Sequence, residues 1–386
     1  MAMSEKTVAS ELRRETPSEG RSERVFMRGN DAACEAALRA GCKFFAGYPI
    51  TPQNEVPEYM SKHIWNWGGV FIQSESEVAA INMVMGAAAA GVRAMTSSSS
   101  PGISLKQEGI SYIAMSELPC VIMNVCRCGP GLGNIAPHQG DYFQATRGGG
   151  HGDYRTITLA PNSVHEMAYL TYLAFDLADK WRNPALVLTD GTLGQMMEPV
   201  DFSEMPIVSA LPKKDWAVGT DQKGRKRHLI TTIYLLGEDM APVHERLIKK
   251  YEMIKREEVR YSTFELDDAE IVIVAIGSPS RVARSVVRMA RNNGLKVGIF
   301  RPITVWPFPY RQLRELAEES RVKAFLVPEM NWGQMVEDVA LAVAEKKPVH
   351  FCAKHGGLTF TPPDLLGPLN AISQNPLNKE TLWHPF

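Results

Sequence analysis

This sequence has no apolar run long enough to cross a bilayer, for which about 20 consecutive residues are needed. It also lacks a surplus of either charge. Forty-two Lys and Arg face 43 Asp and Glu, a formal net charge of −1, so there is no global electrostatic footprint for nucleic acid. Cysteine is sparse. Its six positions (34, 42, 120, 126, 128 and 352) lie mostly within apolar stretches. That is no disulfide framework, and it fits a reducing cytoplasm. Residues 1–25 are rich in Ser, Glu and Arg and carry no apolar signal core, so they read as a flexible, solvated or partner-bound tail. There is no P-loop, nucleophile elbow, heptad repeat or low-complexity tract. What is present is ordinary for a globular protein: 45% apolar and 22% charged residues in a 386-residue chain, enough for two domains.

Residues 26–200 alternate helix and strand signals with short connections. Small apolar residues at helical spacing predict a helix over 30–40, stopped by Gly41. Strands over 42–46, 70–73, 93–96, 119–125, 156–159 and 185–189 alternate with helices over 77–90, 105–115 and 163–181. Ser163 and Glu166 have capping-box spacing. The 119–125 run is apolar throughout, as in a strand buried on both faces. Such alternation implies a mainly parallel sheet covered on both sides. Residues 201–268 break the pattern with a polar stretch, the basic run Lys223-Gly224-Arg225-Lys226-Arg227-His228 and a charged helix over about 241–257. The basic run lacks aromatic interleaving and reads as a solvated loop or subunit contact. A second α/β unit starts near Ala269, with strands over 271–276, 296–300 and 325–328.

Ligands of open parallel sheets bind beyond the carboxyl ends of the strands. Three polar residues fall there. Thr51 stands in Gly47-Tyr48-Pro49-Ile50-Thr51-Pro52, where proline makes the turn rigid. It is either an ordinary turn residue or a hydroxyl presented outward. Glu77 heads an Ala-rich helix. It either complements the helix dipole or exchanges a proton with a bound heterocycle. Arg127 closes the 119–125 strand beside Gly129-Pro130-Gly131-Leu132-Gly133 and is either half of a structural ion pair or a carboxylate clamp. The glycines of that loop are not a dinucleotide fingerprint, because no helix start follows them. Asp190-Gly191 reads as a turn. Cys126 and Cys128 lack the second pair that a cluster or zinc site requires. His138 and His151 lie in the polar, Gly-rich segment after the loop and read either as locally hydrogen-bonded residues, the favoured reading, or as residues reaching the pocket.

Ala46-Gly47-Tyr48-Pro49-Ile50-Thr51-Pro52, residues 73–80, 95–104 and 127–134, Gly149 to Tyr154, Arg301-Pro302-Ile303-Thr304 and Glu329-Met330-Asn331-Trp332-Gly333-Gln334 together carry a resemblance. The chain resembles the α subunit of 2-oxoacid:acceptor (ferredoxin) oxidoreductases, in the branched-chain (3-methyl-2-oxobutanoate) and 2-oxoglutarate group. The resemblance implies two α/β domains with mainly parallel sheets. One is a pyrimidine-type thiamine diphosphate domain over 26–205. A linker or insertion over 206–261 joins it to a transketolase C-terminal-like domain over 262–386. It further implies that Glu77 hydrogen-bonds N1′ of the aminopyrimidine, with Tyr48, Pro49 and Ile50 against the cofactor. Thr51 and Arg127 match residues that hold the substrate carboxylate and keto oxygen.

The implied reaction is oxidative decarboxylation of a 2-oxoacid to acyl-coenzyme A and carbon dioxide, with electrons passing to ferredoxin or another acceptor. This sequence has neither a diphosphate–metal motif nor ferredoxin-type cysteine runs. The resemblance therefore implies thiamine diphosphate shared with a β subunit that holds Mg2+, a γ subunit, and a ferredoxin-like subunit with [4Fe-4S] clusters. Family members acting on 2-oxoglutarate tend to carry Ser-Thr where this chain has Gly131-Leu132. Leu132 would give an apolar wall that satisfies a second carboxylate poorly. A branched-chain or aryl 2-oxoacid follows, with 2-oxoglutarate, or a non-catalytic assembly role, as the alternatives.

Overall fold

A computed structural model describes residues 24–219 and 228–384. Nearly all of the tail, and the basic run up to Arg227, lie outside the described residues. The larger sheet has seven strands in the order Thr304–Trp306, Ile157–Leu159, Pro184–Asp190, Cys120–Cys126, Ala94–Ser98, Phe44–Gly47 and Val70–Gln73. All neighbours are parallel except Thr304–Trp306, which the second α/β unit lends antiparallel to the edge.

Side-chain alternation explains the burial of both faces. Val121, Met123 and Val125 point into one core with the helices Gly29–Arg39 and Val164–Trp181, while Cys120, Ile122 and Cys126 point into the other with Glu77–Ala89 and Ser100–Met115. Helix Gly237–Glu257, inside the stretch expected as linker, lays Val243, Leu247, Tyr251 and Ile254 against the first of these cores. Arg24–Arg28 and Met197–Asp201 pair as a separate two-stranded sheet that the sequence reading missed.

The second unit has a five-stranded sheet in the order Val349–Ala353, Ala324–Glu329, Ile271–Val274, Val297–Pro302 and Tyr261–Phe264, antiparallel only at the last pairing. The units share a core: Tyr142 and Leu188 cluster with Val274, Phe300, Val327 and Met335.

Three local expectations needed correction. The helix expected from residue 105 starts at Ser100, because Pro101 sits in its first turn, where the missing N–H has no role. The sequence reading assigned nothing to the helix Glu55–His63, which carries Pro57 in its first turn. Asp190-Gly191 is more than a turn. The Asp190 carboxylate accepts from Thr192 N at 2.9 Å and Leu193 N at 3.3 Å and starts the short helix Gly191–Gln195. The capping box is half formed. Ser163 Oγ accepts from Glu166 N at 3.0 Å, but the Glu166 carboxylate accepts from Asn162 N and from both terminal nitrogens of Arg301.

Candidate active site

The carboxyl ends of Phe44–Gly47, Val70–Gln73, Ala94–Ser98 and Cys120–Cys126 form one rim. Strand Phe44–Gly47 is flanked by Val70–Gln73, which follows it in sequence, and by Ala94–Ser98, reached by crossing back over it. Such a change of direction is where doubly wound sheets open a crevice. The Tyr48 to Pro52 turn is fixed from below. Fully buried Gln53 donates to Tyr48 O at 3.2 Å and accepts from Ser97 Oγ at 2.5 Å. Tyr48 and Pro49 are exposed, and Ile50 is half-buried.

Glu77 is 6% exposed, and its carboxylate makes no hydrogen bond or ion pair among the described residues. Ser76 caps the helix instead, its side chain accepting from Ala79 N at 3.2 Å. Gly102 is what leaves room for the carboxylate. A Cβ there would lie 2.5 Å from Glu77 Oε1 and 2.0 Å from Ser98 Oγ, impossible distances for real atoms. Ser98 Oγ and its neighbour Ser99 Oγ are buried without partners. A carboxyl and two hydroxyls withheld from protein partners are groups reserved for something else.

Beneath Glu77 lies Lys106, fully buried, donating to Glu77 O at 3.3 Å and Thr96 Oγ1 at 3.1 Å. Burial pulls its ammonium pKa down to about 8, an effect that the Glu77 charge partly opposes. The sequence reading missed Lys106. The available signal was its place on the apolar stripe of Ile103, Ile110 and Ile113.

Thr51 and Arg127, 76 residues apart in sequence, meet: Arg127 Nη1 donates to Thr51 O at 3.1 Å. Its Nη2 donates to Leu132 O at 3.1 Å, and its Nε is buried without a partner. Arg127 is therefore in no structural ion pair. The Thr51 hydroxyl accepts from Asn54 Nδ2 at 3.1 Å. The Leu132 side chain is 79% exposed, so in the single chain it lines no wall. Beside Arg127 opens a cavity of about 390 Å³, bounded by Ser100, Pro130, His138, Asp141 and, from the second unit, Trp332. Asp141 accepts from Ser100 Oγ at 2.5 Å and Asn124 Nδ2 at 2.9 Å.

Residues 35–262 match the family model described as pyruvate flavodoxin/ferredoxin oxidoreductase, thiamine diphosphate-binding. The chain belongs to this oxidoreductase family. Residues 269–365 match its pyruvate:ferredoxin oxidoreductase core domain II. Ketoisovalerate oxidoreductase subunit VorB of Methanothermobacter thermautotrophicus is 52% identical over 317 residues, covering 82% of this chain and 89% of the relative. 2-Oxoglutarate synthase subunit KorA of Methanocaldococcus jannaschii is 38% identical over 368 residues, covering 88% and 97%. The structure of 2-oxoglutarate:ferredoxin oxidoreductase from Magnetococcus marinus, with 2-oxoglutarate, coenzyme A and succinyl-CoA bound, superimposes with a TM-score of 0.80 at 26% identity. That match covers 92% of this chain and 66% of the solved chain.

The rim of this family member suits an aminopyrimidine. A buried, unpartnered carboxyl meets a ring nitrogen's need for a hydrogen-bond partner, and Gly102 keeps the approach open. No group of three or more His, Cys, Asp or Glu with metal-binding geometry occurs among the described residues. Asp190 is fully engaged, accepting from Ser278 Oγ at 2.8 Å as well as from its helix. Cys126 and Cys128 are free and buried. His151 lies at the opposite edge of the sheet, in an apolar cavity of about 420 Å³ with Tyr112, Met115 and Tyr251. That cavity collects the carboxyl end of helix Ser100–Met115, not the strand ends.

Proposed function

We propose that this chain is the α subunit that supplies the proton-exchanging carboxyl and the substrate clamp of a 2-oxoacid:acceptor oxidoreductase. The observation carrying this reading is Glu77, buried at the strand-end rim with no hydrogen-bond or ion-pair partner for its carboxylate among the described residues. Thiamine diphosphate, when bound, supplies the carbon centre at which a 2-oxoacid loses carbon dioxide and is oxidised. Glu77 holds the proton at the pyrimidine ring, and Tyr48, Pro49 and Ile50 pack against that ring. Thr51 and Arg127 hold the carboxylate and keto oxygen of the substrate. Arg127 retains N–H donors beyond the two given to carbonyls, so it can take an anion without leaving its seat.

The acyl group passes to coenzyme A and the electrons to ferredoxin or a related acceptor. A β subunit brings the diphosphate and Mg2+ site, and γ and ferredoxin-like subunits complete the assembly with [4Fe-4S] clusters. The same reading divides the chain at 26–205, 206–261 and 262–386, and its free cysteines suit the cytoplasm.

The favoured substrate is a branched-chain or aryl 2-oxoacid. The greater identity to a ketoisovalerate oxidoreductase subunit, and the apolar Pro130 and Trp332 around the cavity, support it over 2-oxoglutarate. Exposed Leu132 suits a wall that faces the site only once a β subunit is docked. The test is a substrate panel on the reconstituted complex. Turnover of 3-methyl-2-oxobutanoate or phenylglyoxylate is expected. Turnover of 2-oxoglutarate alone overturns the substrate assignment, and no turnover of any 2-oxoacid overturns the function.

A further inference from the structure

His138 is 7% exposed and forms part of the boundary of the cavity beside Arg127. Its Nδ1 accepts from Gly140 N at 3.0 Å. A backbone amide can only donate, so this bond requires an unprotonated Nδ1, and the neutral ring must carry its proton on Nε2. Nε2 has no hydrogen-bond partner among the described residues. Gly140 permits the arrangement, since a Cβ there would lie 2.7 Å from Nδ1.

The loop is also rigid. Gln139 N donates to Met330 O at 2.9 Å, Asn331 Nδ2 donates to Gln139 O at 2.9 Å, and Gln334 Nε2 donates to Gly140 O at 2.8 Å. The second α/β unit thus fixes the ring in place. Three other charges or titratable groups bear on it. Asp141 favours the imidazolium, His355 opposes it, and Arg127 shares the cavity. Burial outweighs the Asp141 charge, so the ring protonates less readily than a free histidine. Protonation would also set an Nδ1–H against the Gly140 N–H.

We propose that His138 is a catalytic residue of the 2-oxoacid site, its neutral imidazole donating Nε2–H to an oxygen of the bound 2-oxoacid beside the Arg127 guanidinium. This rests on the function proposed above. A fixed neutral donor stabilises negative charge on an oxygen without competing for the proton held by Glu77.

Two measurements test it. Long-range 1H–15N spectra of the full-length chain, with the His138 signal identified by its loss in His138→Gln, are expected to show the Nε2–H tautomer at neutral pH. An Nδ1–H tautomer or an imidazolium at that pH overturns the proposal. In the assembled enzyme, His138→Leu is expected to raise KM for the 2-oxoacid about tenfold or more while KM for coenzyme A stays unchanged. His138→Gln, which keeps an N–H donor, should recover most of that loss. A silent His138→Leu, or a rise confined to coenzyme A, overturns the proposal while leaving the proposed function intact. A wild-type assembly that consumes no 2-oxoacid removes both.

Discussion

The seam between the two α/β units and the rim of the larger sheet are both buried and polar, yet they treat their polar groups in opposite ways. At the seam, Glu329 is 2% exposed and accepts from Asn331 Nδ2, Met335 N and Val336 N, each at 2.9 Å. Asp338 accepts from Tyr142 Oη at 2.7 Å, from Tyr310 Oη and from Arg147. At the rim, the Glu77 carboxylate, the Ser98 and Ser99 hydroxyls, Asn124 Oδ1 and Arg127 Nε have no such partners among the described residues. Satisfied buried groups fix an orientation, whereas unsatisfied ones carry a desolvation cost that a ligand or an ordered water relieves. The chain thus holds its site rigid at the seam and leaves it chemically open at the rim.

The contrast breaks most visibly at Glu77. In the assembled enzyme, Glu77→Gln should cut turnover by about 10²–10⁴-fold with its melting temperature held. Wild-type turnover would take the proton role away from this residue. The mirror-image change at the seam is Glu329→Ala, which strips an acceptor from four N–H groups, those of Asn331 Nδ2, Gln334, Met335 and Val336. Its stability in denaturant titrations should fall by about 3 kcal/mol, with turnover per folded molecule falling far less than in Glu77→Gln. A neutral result would mean that water serves those donors equally well.

Next in size is Arg127→Ala, for which KM for the 2-oxoacid should rise by about 10–100-fold. An unaltered substrate response would put the anion elsewhere. The subtlest test lies between the two regions, at Lys106. Its folded pKa, about 8, is below its ordinary 10.5, so the unfolded chain binds more protons between those values. Wild-type stability therefore rises with pH across that window. Lys106→Met should melt above wild type at pH 7, and the gap should close as pH climbs from 8 towards 10.5. A gap independent of pH would show that Lys106 is not buried as an isolated charge.

Much of the fold was legible because it rests on local spacing. The Val70–Gln73 strand matches the expected 70–73, and Glu77–Ala89 and Cys120–Cys126 lie within one residue of theirs. The helix read from residue 105 begins five residues earlier, with Pro101 in its first turn, and Glu55–His63, with Pro57 in its first turn, was not read at all. Thr304–Trp306 was illegible. Nothing in three residues announces that they will pair with Ile157–Leu159, far away in the chain. The site was half legible. Thr51, Glu77 and Arg127 stand out at strand ends, but Lys106, Gly102 and Trp332 act only through neighbours that sequence does not place beside them.

By itself the sequence determined the alternation of strands and helices, the parallel sheets and the rim on which a site must lie. Those follow from periodicities of two and 3.6 residues, which neighbouring side chains settle among themselves. Only the tertiary structure decided which buried polar groups would be satisfied and which left waiting. Hydrogen-bond satisfaction is a property of pairs: Arg127 with Thr51, Asn331 with Gln139 and Tyr142 with Asp338 lie 76, 192 and 196 residues apart, and folding alone brings them within bonding distance.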